Sequence, residues 1–243
     1  MSAPETIRVL ADRIRALESS VRPCEPASIP LGIGGLGELF PEGLSAGSLI
    51  ELLPHAPGAG AWTLALLLAR HACGEQKTLL IADHERCFYP PAARKFGLDP
   101  NRTVIVRPRT AGDALLAVTQ ALRCSAIGTA IGAFERLTDR DGRRLQLAVE
   151  SAGTVGVLVR PLSALYAPSF ASVRLLMEPL PSAHGRRRVR VEVLRCRHAA
   201  CGVAGSATPQ AACLEINDAT GHVRVLSPLE LAADLAAAAR ATG

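Results

Sequence analysis

The sequence predicts an α/β fold: a mostly parallel central β-sheet flanked by helices, extended on its C-terminal side by antiparallel strands. Three observations carry that expectation. Between Ser48 and Val159, strand-length apolar runs alternate with helical patterns, as parallel βαβ units require. After Ser172 the helical patterns stop and strand-like segments follow one another through short turns. The segment H55-A-P-G-A-G-A-W62 joins the apolar run S48-L-I-E-L-L53 to the helical pattern T63-L-A-L-L-L-A-R70, the frame in which a phosphate-cradling loop occurs.

A chain of 243 residues, 49% hydrophobic and 20% charged, buries a full core and is expected to form one domain with terminal additions. The divisions are 1–30, an N-terminal helix and linker; 31–197, the core; and 198–243, a C-terminal loop, β-hairpin and helix. No apolar run approaches the ~20 residues that span a bilayer, and the N-terminus lacks a signal peptide's apolar centre. The expected location is the cytoplasm, with no membrane contact. Seven cysteines, an odd number spread through the chain, suit reduced, buried thiols better than a disulfide framework. A formal charge of +5 permits contact with nucleic acid or an acidic partner without establishing either.

The elements follow in order. Ile7, Leu10, Ile14 and Leu17 share one helical face over residues 5–19, and the Pro-rich stretch V21-R-P-C-E-P-A-S-I29 ends that helix. Its stripe either packs back on the body or docks a partner. S48–L53 reads as the first core strand, and K77-T-L-L-I-A82 and R102-T-V-I-V-R107 as further strands, with a short helix at Y89–F96 between them. A111–R123 is helical, with Leu115, Val118 and Leu122 on one face, and I127-G-T-A-I-G-A-F134 is a Gly-interrupted buried strand. R143–G153 is a helix closed by Gly153, and T154-V-G-V-L-V159 is the strand expected to end the parallel portion. Then come S172–M177, R188–R195, and the pair C213–N217 and H222–L226 joined by D218-A-T-G221. A helix over 228–240 starts well, with Ser227 as N-cap, Pro228 and Glu230.

This order, with the entry L36–E51, the stretch L79–D99 and the pair A171–L175 and R188–E192, resembles the RecA-like ATPase core. R143-R-L-Q-L-A-V-E150, V157-L-V-R160 before Pro161, S169-F-A-S-V-R-L175 and V191-E-V-L-R-C-R197 look more specifically like the ImuA family, RecA-fold proteins of bacterial damage-induced mutagenesis. The resemblance spans roughly Gly34 to Arg197, two thirds of the chain. It implies a three-layer RecA-like core and a non-catalytic accessory role in translesion synthesis. The implied partners are an ImuB-like Y-family polymerase homologue, an error-prone C-family DNA polymerase and RecA, with nucleoid association when DNA is damaged. Helices 5–19 and 228–240 are the candidate docking elements.

The phosphate loop is vestigial. In the pattern GxxxxGK[ST] the lysine reaches the terminal phosphates and the hydroxyl holds magnesium. Here His55, Gly58 and Gly60 keep the frame, but Ala61 brings no charge and Trp62 no hydroxyl. Charged hydrogen bonds contribute about 1.5–3 kcal/mol each, so losing both weakens nucleotide binding by orders of magnitude. I131-G-A-F134 carries no strand-end Asp, and Asp83 and Glu85 read as solvated loop carboxylates with nothing to activate. Neither a cofactor, a catalytic residue nor a metal is therefore expected. Cys196, His198, Cys201 and Cys213 match no common zinc spacing, and no Cys-His nucleophile is spaced for one.

Arg186, Arg187, Arg188, Arg190, Arg195 and Arg197 gather on one strand. They form either a solvated face or a surface for DNA phosphates or an acidic partner. The resemblance places the two DNA-binding loops of RecA-type recombinases at E135–D141 and R160–S169; both are short, which argues against a filament on DNA and leaves at most weak DNA binding. Two other functions fit a RecA-like fold: a division inhibitor resembling SulA that binds FtsZ, and a weak ATP-binding regulator.

Overall fold

The computed structural model describes residues 28–30, 40, 43–183, 185–197, 211–217, 219–227 and 230–231. The expected N-terminal helix over 5–19 and nearly all of the helix over 228–240 lie outside them, as do His198 and Cys201.

Nine strands form one sheet: β3 (Leu49–Pro54), β4 (Thr78–Ala82), β5 (Thr103–Val106), β6 (Ile127–Ala133), β7 (Val155–Val159), β8 (Val173–Ala183), β9 (Arg186–Cys196), β10 (Ala211–Ile216) and β11 (Val223–Leu226). Their order is β11-β10-β9-β8-β3-β7-β6-β4-β5. A separate two-stranded pair joins β1 (Ser28–Ile29) to β2 (Leu44–Ser45). The six strands from β8 to β5 pair in parallel, and those from β8 to β11 antiparallel, so the mixed sheet expected from the sequence is present. Its parallel part does not end with β7, because β8 also pairs in parallel with β3. The chain reaches β8 by crossing the end of β3 through a 3₁₀ turn, Leu162–Tyr166, too short to register as a helical pattern.

Helix α1 (Ala61–Cys73) is built from Ala and Leu, strong helix formers, and buries Leu64, Ala65, Leu66, Leu67, Leu68 and Ala69. A helix apolar on nearly every side belongs in an interior. It packs with Ile50, Leu52, Leu79, Ile81, Val157, Leu175, Val191 and Leu214 on one sheet face. The opposite face carries α3 (Ala111–Ala121) and α4 (Asp139–Ala152), whose Val118, Leu122, Leu145 and Val149 meet Leu49, Ala130 and Leu158. A short helix, α2 (Pro90–Lys95), follows β4. Helix α4 begins four residues before the expected Arg143, because Thr138 and Asp141 cap it reciprocally: the Asp141 N–H donates to Thr138 Oγ1 at 3.2 Å and the Thr138 N–H to Asp141 Oδ2 at 3.3 Å. Gly153 closes it at φ 63°, as expected. Among the described residues no helix is long and apolar enough to cross a membrane.

Buried charge fixes the crossover. Glu51 on β3 is 2% exposed and accepts from Arg160 Nη1 at 3.2 Å and Arg174 Nε at 2.8 Å. The other nitrogens of Arg174 donate to the carbonyls of Ala164, at 2.7 Å, and Leu165, at 3.2 Å. One carboxylate thus ties β3 to both parallel neighbours and to the turn between them.

Of the described cysteines only Cys73 is buried; Cys87 and Cys124 are exposed and Cys196 and Cys213 half-buried, which corrects the expectation of buried thiols. Cys73 sits where α1 meets β6. A Cβ on Gly128 would lie 2.6 Å from the Cys73 Cα, so the helix backbone rests directly on that glycine. Gly128→Ala is expected to lower stability by about 1–3 kcal/mol, by forcing helix and strand apart, as read by the shift in denaturant midpoint.

Candidate functional site

The loop between β3 and α1 turns on two glycines and leads straight into the helix. Gly58 and Gly60 take φ of 82° and 80°, a left-handed turn that glycine adopts without strain. Gly60 is the N-cap of α1, and the first turn holds no acidic residue. The His55 N–H donates to the Met177 carbonyl at 2.8 Å, tying the loop to β8 while its ring is exposed. Ala61 is 6% exposed and faces the core. Trp62 is half-buried, its ring 5.8 Å from that of Phe88 and tilted by 42°. Phe88 stands in the segment after β4, so an aromatic pair bridges the two loops.

A pocket of about 490 Å³ remains beside the loop, lined mainly by apolar groups of Pro54, Pro57, Ala61, Trp62 and Val159. Arg187 also lines it, reaching from β9 to donate to the buried Thr63 Oγ1 at 3.3 Å. Neither Phe88 nor Arg187 was expected at the loop. Trp62 and Phe88 stand 26 residues apart in separate elements, a separation no periodicity encodes.

Asp83 corrects the reading of both acids as solvated. Its side chain is 1% exposed: Oδ1 accepts the N–H groups of Cys87 at 2.9 Å and Phe88 at 3.2 Å, and Oδ2 accepts Arg107 Nε at 3.3 Å. It shapes the turn that brings Phe88 to Trp62. Glu85 is exposed, as expected. The exposed Cys87 thiol is pushed up by burial first and then by the charges of Asp83 and Glu85, the reverse of what a nucleophile needs. Cys213 is raised by burial against the opposing effect of Arg190. Among the described residues no group of His, Cys, Asp and Glu could hold a metal ion.

The arginine run is divided. Strand alternation sends Arg187 to the α1 face and Arg186, Arg188 and Arg190 to the other. Arg188 is buried, giving Glu215 Oε2 two bonds of 3.0 and 2.8 Å. Arg186 Nη1 and Arg224 Nε reach Glu215 Oε1 at 2.9 and 2.8 Å. Arg190 pairs with Glu178 at 2.9 Å and Glu192 at 2.7 Å. Arg195 donates to the Ser169 carbonyl at 3.0 Å, and Arg197 is exposed. The expected cluster is therefore not one row of cations. Arg224 is the member missing from it; the hairpin register, which sets Glu215 opposite Arg224, was the available signal.

No protein-family model matches the chain, and no curated protein matches its sequence.

Burial alone raises the Glu215 carboxyl, but hydrogen bonds from Arg186, Arg188 and Arg224 outweigh it and hold the pKa at about 2, below the ordinary 4.5. A carboxyl depressed in the folded state stabilises the fold above its unfolded pKa, and that contribution fades as pH falls toward the folded value. Stability is expected to drop between pH 4.5 and about 2, read by thermal melting. Glu215→Gln is expected to flatten that slope and to cost about 3–5 kcal/mol at neutral pH, since it leaves the buried Arg188 without its counter-charge.

Proposed function

We propose that the chain is a catalytically silent scaffold with a RecA-like core, an accessory factor of damage-induced mutagenesis that works through protein contacts. Its partners are an ImuB-like Y-family polymerase homologue, an error-prone C-family polymerase and RecA. The observation that carries the reading is the content of the loop: a buried methyl at Ala61 and an indole packed on Phe88 at Trp62, after a turn in which Gly58 and Gly60 take positive φ. A triphosphate there meets no ammonium at Ala61 and no hydroxyl at Trp62, and the Thr63 hydroxyl that lines the pocket already accepts from Arg187 at 3.3 Å. What the fold keeps is its surface, the part through which a scaffold acts.

Trp62 is the chain's single tryptophan and stands in the loop, so its emission reports directly on nucleotide entry. The wild-type chain is expected to show no saturable change with magnesium-ATP up to millimolar concentration and to co-purify with an ImuB-like homologue. Saturable binding at micromolar ATP, with turnover, overturns the silent loop. Failure to capture the homologue overturns the assigned partner. The double variant Ala61→Lys with Trp62→Thr is expected to gain at least tenfold in magnesium-ATP affinity by calorimetry, because the glycine turn and helix start are already in place.

A further inference from the structure

A second site lies at the far end of the antiparallel extension and owes nothing to the phosphate loop. We propose that the cleft floored by Glu215 and lined by Arg186, Asn217, His222 and Arg224 docks a carboxylate of an acidic segment of a partner protein.

The cleft encloses about 440 Å³ between the start of β9 and the β10–β11 hairpin. Register brings its charges together, with Glu215 opposite Arg188 on one side and Arg224 on the other. Glu215 is 2% exposed, and its two oxygens already accept four N–H groups: Arg186 Nη1 and Arg224 Nε on Oε1, Arg188 Nε and Nη2 on Oε2. A carboxylate offers about four lone-pair positions, so this one is full. Arg186 and Arg224, whose side chains are 44% and 40% exposed, line the cleft and carry further N–H groups. Arg224 gives one to Glu230 at 2.9 Å. The Asn217 amide oxygen is likewise occupied, by the N–H groups of Ala219 at 3.0 Å and Thr220 at 3.2 Å, which leaves its NH₂ as a donor.

The polar side chains of the cleft thus offer donors where the floor's acceptors are spent. Among the described residues, the guanidiniums of Arg186, Arg188 and Arg224 outnumber the carboxylates of Glu215 and Glu230 that they pair with. An occupant must bring acceptors and negative charge. Glu215 already holds both outer guanidiniums in place, so little rotamer freedom remains to be lost on binding.

The concave shape and the fate of the other arginines decide the partner. A nucleic-acid backbone needs several cations tracking a line of phosphates. Here Arg190 is held by Glu178 and Glu192, Arg187 lies on the opposite face, and Arg195 caps the Ser169 carbonyl. Arg197 is exposed, but past the opposite end of β9, so it does not extend the cleft into a line of cations; the cleft is one recessed spot, suited to a single acidic side chain with its neighbours along a peptide. The inference stands whether or not the partner is ImuB-like.

The test is fluorescence anisotropy of a labelled hexaglutamate peptide on the full chain at low salt. Saturable binding is expected, weakened at least tenfold by Arg186→Ala with Arg224→Ala and changed less than twofold by Arg190→Ala. Arg188 still pairs with Glu215 in the double variant, and a thermal melt checks its fold. Asn217→Asp provides an independent variant: it keeps the acceptor for Ala219 and Thr220, adds a negative charge to the cleft, and is expected to weaken the peptide at least tenfold. No binding, or equal loss with Arg190→Ala, overturns the site. Displacement by equimolar inorganic phosphate overturns the peptide assignment in favour of a small-anion pocket. Tighter binding of single-stranded oligothymidylate, lost in the same variants, overturns it in favour of nucleic acid.

Discussion

An ionised carboxylate inside a sheet must carry its counter-charge with it, and that requirement organises this molecule. Removing an ion from water costs several kcal/mol, recovered only when good geometry fills its remaining hydrogen-bonding positions. Glu51 meets the requirement with Arg160 and Arg174, Glu215 with Arg186, Arg188 and Arg224, and Asp83 with Arg107 and two backbone N–H groups. Each cluster joins segments distant in sequence. Glu51 locks the crossover that lets β8 lie parallel to β3, Glu215 pins three strands of the extension, and Asp83 folds the turn carrying Phe88. The pairs specify geometry at least as much as they stabilise it.

The same requirement limits what the surface can do. Arginines needed inside the fold cannot also line a strand of DNA. The run from Arg186 to Arg197 contributes to ion pairs, a helix start and a loop carbonyl, which leaves Arg186 half-exposed at the Glu215 cleft and Arg197 exposed past the other end of β9. On the opposite face of the sheet, the loop before α1 lies close to Val189 and Ile216 and is filled by packing rather than charge. Ala61 continues the core, and Trp62 rests on Phe88 where a cradle would have stayed open. This is the position where α/β sheets usually place their ligands.

Much of the architecture could be read in advance because it rests on local rules. Strand-length apolar runs fixed the existence and order of the strands, and Gly58, Gly60 and Gly153 marked turns that the backbone takes at positive φ. The misses came where local pattern and tertiary requirement differ. The start of α4 was placed by its apolar residues, although polar capping at Thr138 and Asp141 sets it. Asp83 looked like any loop carboxylate because its partners, Cys87, Phe88 and Arg107, meet only in the folded chain.

By itself the sequence determined the alternation of strands and helices, the glycine turn before α1, and the replacement of cation and hydroxyl by Ala61 and Trp62. Those are properties of neighbouring residues, and neighbours are what a linear text records. Only the tertiary structure decided that β8 runs parallel beside β3, that Trp62 meets Phe88, and that Arg187 separates from Arg186, Arg188 and Arg190 onto the opposite sheet face. Strand alternation, hairpin register and the cost of an unpartnered buried charge act across the fold, through contacts that sequence order does not contain.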